Sequence, residues 1–218
     1  MMQHPENWDK IISLLQSGER DNIELAYQLA GKNVPMFWPT LRNLKNTLSS
    51  AKTQPPIHWL EMPFGQLCYV LKIVLAMTLE GSTSKELPAE IAFFKSLVIL
   101  EIKDCAFEVL PEEIGQLQKI KTLSIKNCPI KQLPKSITQL PNLGTLILRN
   151  NQLLSLPEGL QNLSKLKHLD ISNNPQLQVS GKAITALPNL EELVLDEGTL
   201  HLIHSNILKE RKIKITYA

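Results

Sequence analysis

The sequence predicts an α/β solenoid: parallel strands stacked on one side, short helical or 3₁₀ returns on the other, and a helical region ahead of the array. Three observations carry that expectation. Apolar residues recur with a period of 23 from Val74 onward. A Leu-Pro pair returns in the same register. Leucine supplies 38 of the 218 residues, 28 of them after residue 71, without a long uninterrupted apolar run. Such density without a membrane-length stretch points to a repeat.

Successive coils begin at Val74, Leu97, Ile120, Leu143, Leu166 and Leu190, with spacings of 23, 23, 23, 23 and 24. Counting each start as position one, position four holds Met77, Leu100, Leu123, Leu146, Leu169 and Leu193. Position six holds Leu79, Ile102, Ile125, Leu148, Ile171 and Leu195. Alternation of this kind makes positions three to seven a short strand whose side chains at four and six point inward. Leu87, Leu110, Leu133 and Leu156 occupy position fourteen, each followed by proline: Pro88, Pro111, Pro134 and Pro157. Proline has no N–H to lose at the start of a return segment. Apolar residues three apart, such as Ile114 and Leu117, then suit one face of a short helix or 3₁₀ turn.

Together these positions spell LxxLxLxx(N/C)xLxxLPxx(I/L)xxLxx, best seen in residues 143–157. The chain resembles the leucine-rich repeat family, in its 23-residue Leu-Pro class of bacterial and intracellular type, over about two thirds of its length. The resemblance implies a right-handed solenoid with a concave parallel sheet, convex 3₁₀ segments and a protein-binding role. Position nine reads Ser82, Cys105, Cys128, Asn151, Asn174 and Gly198. In the family this place holds Asn or Cys bonded to turn backbone, which implies a structural ladder of Cys105, Cys128, Asn151 and Asn174. A backbone amide buried without a partner would cost about 1–3 kcal/mol.

The pattern weakens at both ends. The first coil carries Ser82 at the ladder position, as terminal coils often do. The fifth gains a residue around 174–177 and replaces Leu-Pro by Ser180-Gly181, predicting a bulge on the convex side. Residues 199–212 suit a closing helix and 213–217 a final strand. Residues 1–70 show no repeat register. Helical segments are expected near Trp8 to Leu15, Ile23 to Leu29, Leu41 to Leu48 and 64–72, with 49–56 a loop by composition. The expected organisation is therefore an α-helical cap, 1–70, on a solenoid, 71–218. An independent binding domain is the rival reading of the first segment.

Composition excludes several function classes. There are 23 basic and 21 acidic side chains, so the basic excess of an electrostatic nucleic-acid binder is absent. No stretch of about 18 apolar residues predicts a membrane span. Cys68, Cys105 and Cys128 form no CxxC pair and cannot all pair among themselves, which favours a reducing cytoplasm. His201 and His204 lack a third ligand at a convincing spacing, and no nucleophile elbow, phosphate loop or kinase signature occurs. Glu112 and Glu113 follow Pro111, where acids favour a helix start over general acid–base work. The expectation is a protein with no catalytic residues, metal or cofactor.

Function is then expected on the concave strand faces. Position three presents Ile99, Thr145, His168 and Glu192; position five presents Glu101, Ser124, Ile147 and Asp170; position seven presents Lys103, Lys126, Arg149 and Asp196. Adjacent strands lie about 4.8 Å apart, so Lys103, Lys126 and Arg149 would form a cationic ladder, with acids gathered toward the C-terminal end. That surface is expected to bind a protein or peptide, steered by charge. A monomeric cytoplasmic scaffold or regulator acting in signalling is the favoured reading. A bacterial effector or surface protein acting on host targets is the alternative.

Overall fold

The structure, a computed structural model, describes residues 52–54, 75–197 and 212–217. One eight-stranded sheet runs through it in sequence order. Strands β2 (Ala76–Glu80), β3 (Ile99–Lys103), β4 (Thr122–Lys126), β5 (Thr145–Ile147), β6 (His168–Asp170), β7 (Glu192–Leu195) and β8 (Lys214–Tyr217) are all parallel. Their register repeats the sequence period: Leu100 lies opposite Leu123, and Leu123 opposite Leu146. The alternation at positions four and six is obeyed, because Met77, Leu100, Leu123, Leu146, Leu169 and Leu193 all fall in the buried core.

Between strands, the chain returns through 3₁₀ segments at Ala89–Phe93, Glu112–Gln116, Lys135–Gln139 and Leu160–Asn162. Pro88, Pro111 and Pro134 precede the first three with extended φ and ψ. Each proline carbonyl accepts from the N–H three residues on, at Ile91, Ile114 and Ile137. Proline thus sets the direction of the return while its missing donor is never needed. Ile91, Ile114, Ile137 and Leu160 turn inward and close one apolar column with the strand residues. Successive returns lie close. A Cβ on Gly115 would stand 2.6 Å from the Cβ of Ser136 and 2.8 Å from its carbonyl oxygen, so only glycine fits without displacing the next coil.

The fifth coil behaves differently. Its return is an α-helix, α1 (Gly181–Thr185), instead of a 3₁₀ segment. Five residues advance about 7.5 Å in an α-helix and about 10 Å in a 3₁₀ helix. The smaller rise per residue of the α-helix lets this coil hold one more residue over the same span. Where a bulge was expected from Ser180-Gly181, the structure has a turn at 175–176 followed by this helix.

Position nine is a ladder of buried groups. Asn151 Nδ2 donates to the carbonyls of Ile125 (2.9 Å) and Leu148 (2.7 Å), while its Oδ1 accepts from Cys128 N (3.1 Å). Asn174 repeats the arrangement with Leu148 (2.9 Å), Ile171 (3.0 Å) and Leu153 N (3.2 Å). Cys105 accepts from Ser82 N through sulfur, and the thiols of Cys105 and Cys128 donate to the carbonyls of Lys103 and Lys126. Both cysteines are free and buried. The interaction with the neighbouring Cys105 thiol, with burial, pushes Cys128 up.

Position eight forms a second ladder that the sequence reading passed over. Gly81, Asp104, Asn127, Asn150 and Asn173 all have φ between 54° and 73°. Asn and Asp tolerate this left-handed region better than other side-chain-bearing residues. Here they also bond one another: Asn127 Nδ2 donates to Asp104 Oδ1 (2.7 Å), and Asn150 Nδ2 to Asn127 Oδ1 (2.8 Å). The recurrence of Gly, Asp and Asn at one position was the available signal.

Of residues 1–70, only β1 (Lys52–Gln54) is described. It corrects the expected loop at 49–56: these residues pair antiparallel with β2, Thr53 opposite Leu79. The pairing supplies partners to backbone groups on β2's outer edge, a stronger influence than the turn-forming composition around it. The expected helices of 1–70, Trp8, Trp38, Trp59 and Cys68, the ladder position Gly198, and the closing helix with His201 and His204 lie outside the described residues. The final strand is present as β8. Among the described residues, no helix is long and apolar enough to cross a membrane, and no group of three metal-ligating side chains occurs.

Candidate functional site

One face of the sheet is the core; positions three, five and seven point to the other. Backbone bonds align position seven across coils: Gly81 N to Lys103 O, Asp104 N to Lys126 O, Asn127 N to Arg149 O and Asn150 N to Ser172 O, at 3.0–3.2 Å. Lys103, Lys126 and Arg149 therefore stand in the expected row. Their charges are unequal in availability. Lys103 Nζ lies 3.1 Å from Glu80, and Lys126 Nζ lies 3.3 Å from Glu101. The Lys103 ammonium is held above its usual range by its bond to Glu80. Arg149, which is exposed, has no ion-pair partner among the described residues. The row is a pair of neutralised lysines followed by one unengaged guanidinium.

The acidic end is also more structural than its sequence implied. Asp170 is buried and its Oδ1 accepts from the N–H (3.0 Å) and hydroxyl (2.6 Å) of Ser172. Both carboxylate oxygens of Asp196 accept from Asn173 N, at 3.0 Å. These two groups serve backbone turns. Glu192 instead gathers a cluster on the open face: Lys214 Nζ at 2.7 Å, His168 Nδ1 at 2.9 Å and Thr216 Oγ1 at 3.2 Å. A carboxylate can only accept, so His168 Nδ1 carries the hydrogen. Lys214 first, then His168, hold the Glu192 carboxyl down to about 2.

That depression has a pH consequence. A carboxyl whose folded value lies below its ordinary 4.5 contributes stability above 4.5 and loses it as pH falls toward about 2. The β7–β8 edge is expected to loosen over that interval, seen as faster amide exchange at Ile215 and Thr216. Glu192→Gln should remove the pH dependence of this edge. If the variant keeps it, the Lys214–Glu192–His168 cluster is not its cause.

The remaining predicted site residues fall as follows. Ile99 is 44% exposed, while Thr145, Ile147, His168, Glu101 and Glu192 are half-buried. Ser124 is buried beneath its neighbours, so it offers little contact area of its own. Glu112 and Glu113 stand in the first turn of their own return, as expected, and Glu112 also reaches the next coil. Its carboxylate accepts from Lys135 N (3.3 Å) and Ser136 N (3.0 Å) at the start of the next return, which lowers its pKa. Acid at this place ties coils together. Among the described residues, the arrangement offers polar and apolar contacts on a rigid ladder, with no nucleophile, base and orienting group brought together.

Residues 141–200, 60 of 218, match the family model described as Leucine rich repeat. No curated protein matches the sequence. Among solved structures, the chain is similar to the plant peptide hormone receptor RGFR1, solved in complex with RGF2, with TM-score 0.50 and 21% identity. That likeness covers 65% of this chain and 27% of the receptor chain. A leucine-rich repeat protein of Leptospira interrogans has TM-score 0.41 and 25% identity, over 67% of this chain and 50% of that one. The leucine-rich repeat domain of the type III effector XopL has TM-score 0.47 and 19% identity, over 93% and 74%. The chain thus spans about a quarter of the receptor and half of the Leptospira protein. The family match and the seven-stranded parallel ladder with its 3₁₀ returns together place residues 141–200 among leucine-rich repeats.

Proposed function

We propose that this chain is a non-catalytic interaction module that binds a protein or extended peptide on the open face of its sheet, as the concave face of a solenoid. The carrying observation is the half-exposed strip Thr122, Thr145, Ile147 and His168, set on strands whose other face is fully buried. Rigid strands hold these side chains at fixed spacing, which lowers the ordering cost of binding. Ile99 and Ile147 are its apolar anchors, and Arg149 is its unengaged charge. The receptor RGFR1, whose fold is similar, was solved with RGF2 bound, which supports the reading. Two free, buried cysteines suit a reducing compartment, and we place the module as a cytoplasmic scaffold or regulator.

The test compares two faces. The full chain serves as bait in native lysate, and affinity for the protein recovered is then measured with purified components. Thr145→Glu with Ile147→Glu should weaken it about tenfold or more, whereas Gln116→Glu with Gln139→Glu on the returns should leave it unchanged. The opposite pattern would move the site to the returns and end this proposal.

A further inference from the structure

The ion pairs on the open face follow a rule that stops at one coil. Lys103 meets Glu80, and Lys126 meets Glu101, each acid coming from the preceding strand. For Arg149, the two corresponding positions on β4 are Lys126 and Ser124. Neither is acidic. Ile147, on its own strand, lies opposite Asp170, whose carboxylate is engaged by Ser172. Arg149 is therefore left without the carboxylate that its two predecessors have.

Ser124 supplies an independent sign at the same place. It sits between Leu123 and Ile125, which enter the core, so its side chain points to the open face. Its register partners there are Glu101 and Ile147. Only 4% of the residue is exposed, and its hydroxyl oxygen has no hydrogen-bond partner among the described residues. Native structures rarely leave a buried hydroxyl in that state.

We propose that Arg149 and Ser124 form a docking notch for a carboxylate, contributed by an acidic side chain of the extended peptide segment that the open face binds. The incoming carboxylate takes the place that Glu101 holds for Lys126. One of its oxygens accepts from the guanidinium, in the geometry that suits arginine. The other accepts from the Ser124 hydroxyl and so satisfies it. Reaching the hydroxyl requires its half-buried register partners, Glu101 and Ile147, to shift. The inference rests on the reading of the open face as the binding surface, and it adds the chemistry of one contact.

Arginine side-chain nitrogen signals provide the test, using the full chain labelled at arginine. The probe is the capped tripeptide acetyl-Ala-Glu-Ala-amide, with its Gln counterpart as control. Arg20, Arg42 and Arg211 are internal references. The expected result is a saturable shift of the Arg149 Nε–H signal with the Glu peptide and none with the Gln peptide. Ser124→Ala should weaken that response several-fold. Equal shifts at all four arginines, or equal effects of the two peptides, would overturn the notch. If the notch fails while Thr145→Glu with Ile147→Glu still abolishes partner binding, the broader reading survives without it.

Discussion

Asn151→Ala is expected to lower the unfolding free energy by about 3 kcal/mol, a large share of what a domain of this size has to lose. The substitution takes the amide partner from two buried backbone groups, the N–H of Cys128 and the carbonyl of Ile125, while the Leu148 carbonyl keeps its bond from Asn174. Asn151 is buried, as are Leu148 and Leu153, so the released groups lie away from bulk solvent. Asn151→Cys should cost about half as much. A sulfur at this position already accepts an amide in the second coil, where Ser82 N donates to Cys105, and weak bonds of this kind recover part of the loss. Urea unfolding of the three proteins gives the comparison. Alanine and cysteine variants of equal stability would show that the side-chain bonds contribute nothing.

Phe107→Ala is expected to cost about 3–5 kcal/mol, through lost transfer energy and the cavity left behind. Phe107 is fully buried at position eleven, where the following coils carry the smaller Ile130 and Leu153. Phe107→Leu should cost about 1–2 kcal/mol, since most of the volume is retained. In a stacked array, stability is a sum of coils and their nearest-neighbour interfaces, so the damage should be local. Amide exchange should accelerate at Leu100 and Leu123 before it does at Leu193. Uniform acceleration along the array would instead make the whole molecule one cooperative unit.

The elements that were legible beforehand are those governed by period and residue type. Positions four and six alternate in the manner a strand demands, and the structure buries every one of the described residues there. The Leu-Pro pairs foretold the start of the first three returns, because φ at proline and its missing donor permit few alternatives. Asn at position nine was legible because a buried turn must find partners for its backbone. The ladder at position eight carried an equally regular signal, Gly-Asp-Asn-Asn-Asn, but its meaning depends on a positive φ that only becomes evident in coordinates.

The charged side chains were less legible. Lys103 and Lys126 were correctly placed in a row, yet their neutralisation depends on how long side chains lean across to the neighbouring strand. Asp170 and Asp196 look like partner-facing acids in a column of letters. Hydrogen bonds divert them, Asp170 to Ser172 within its own coil and Asp196 to Asn173 in the preceding coil, since a carboxylate near a turn N–H has an acceptor's task at hand.

By itself, the sequence determined the repeat, its register, the side of each strand that enters the core, and the residue types able to close each turn. Those properties follow from local geometry repeated at a constant interval. Tertiary structure decided which charges remain unengaged, that a short strand rather than a loop pairs with β2, and that the fifth return winds as an α-helix. Each of these outcomes depends on distances between separate coils, and a stacked neighbour, not a sequence neighbour, sets them.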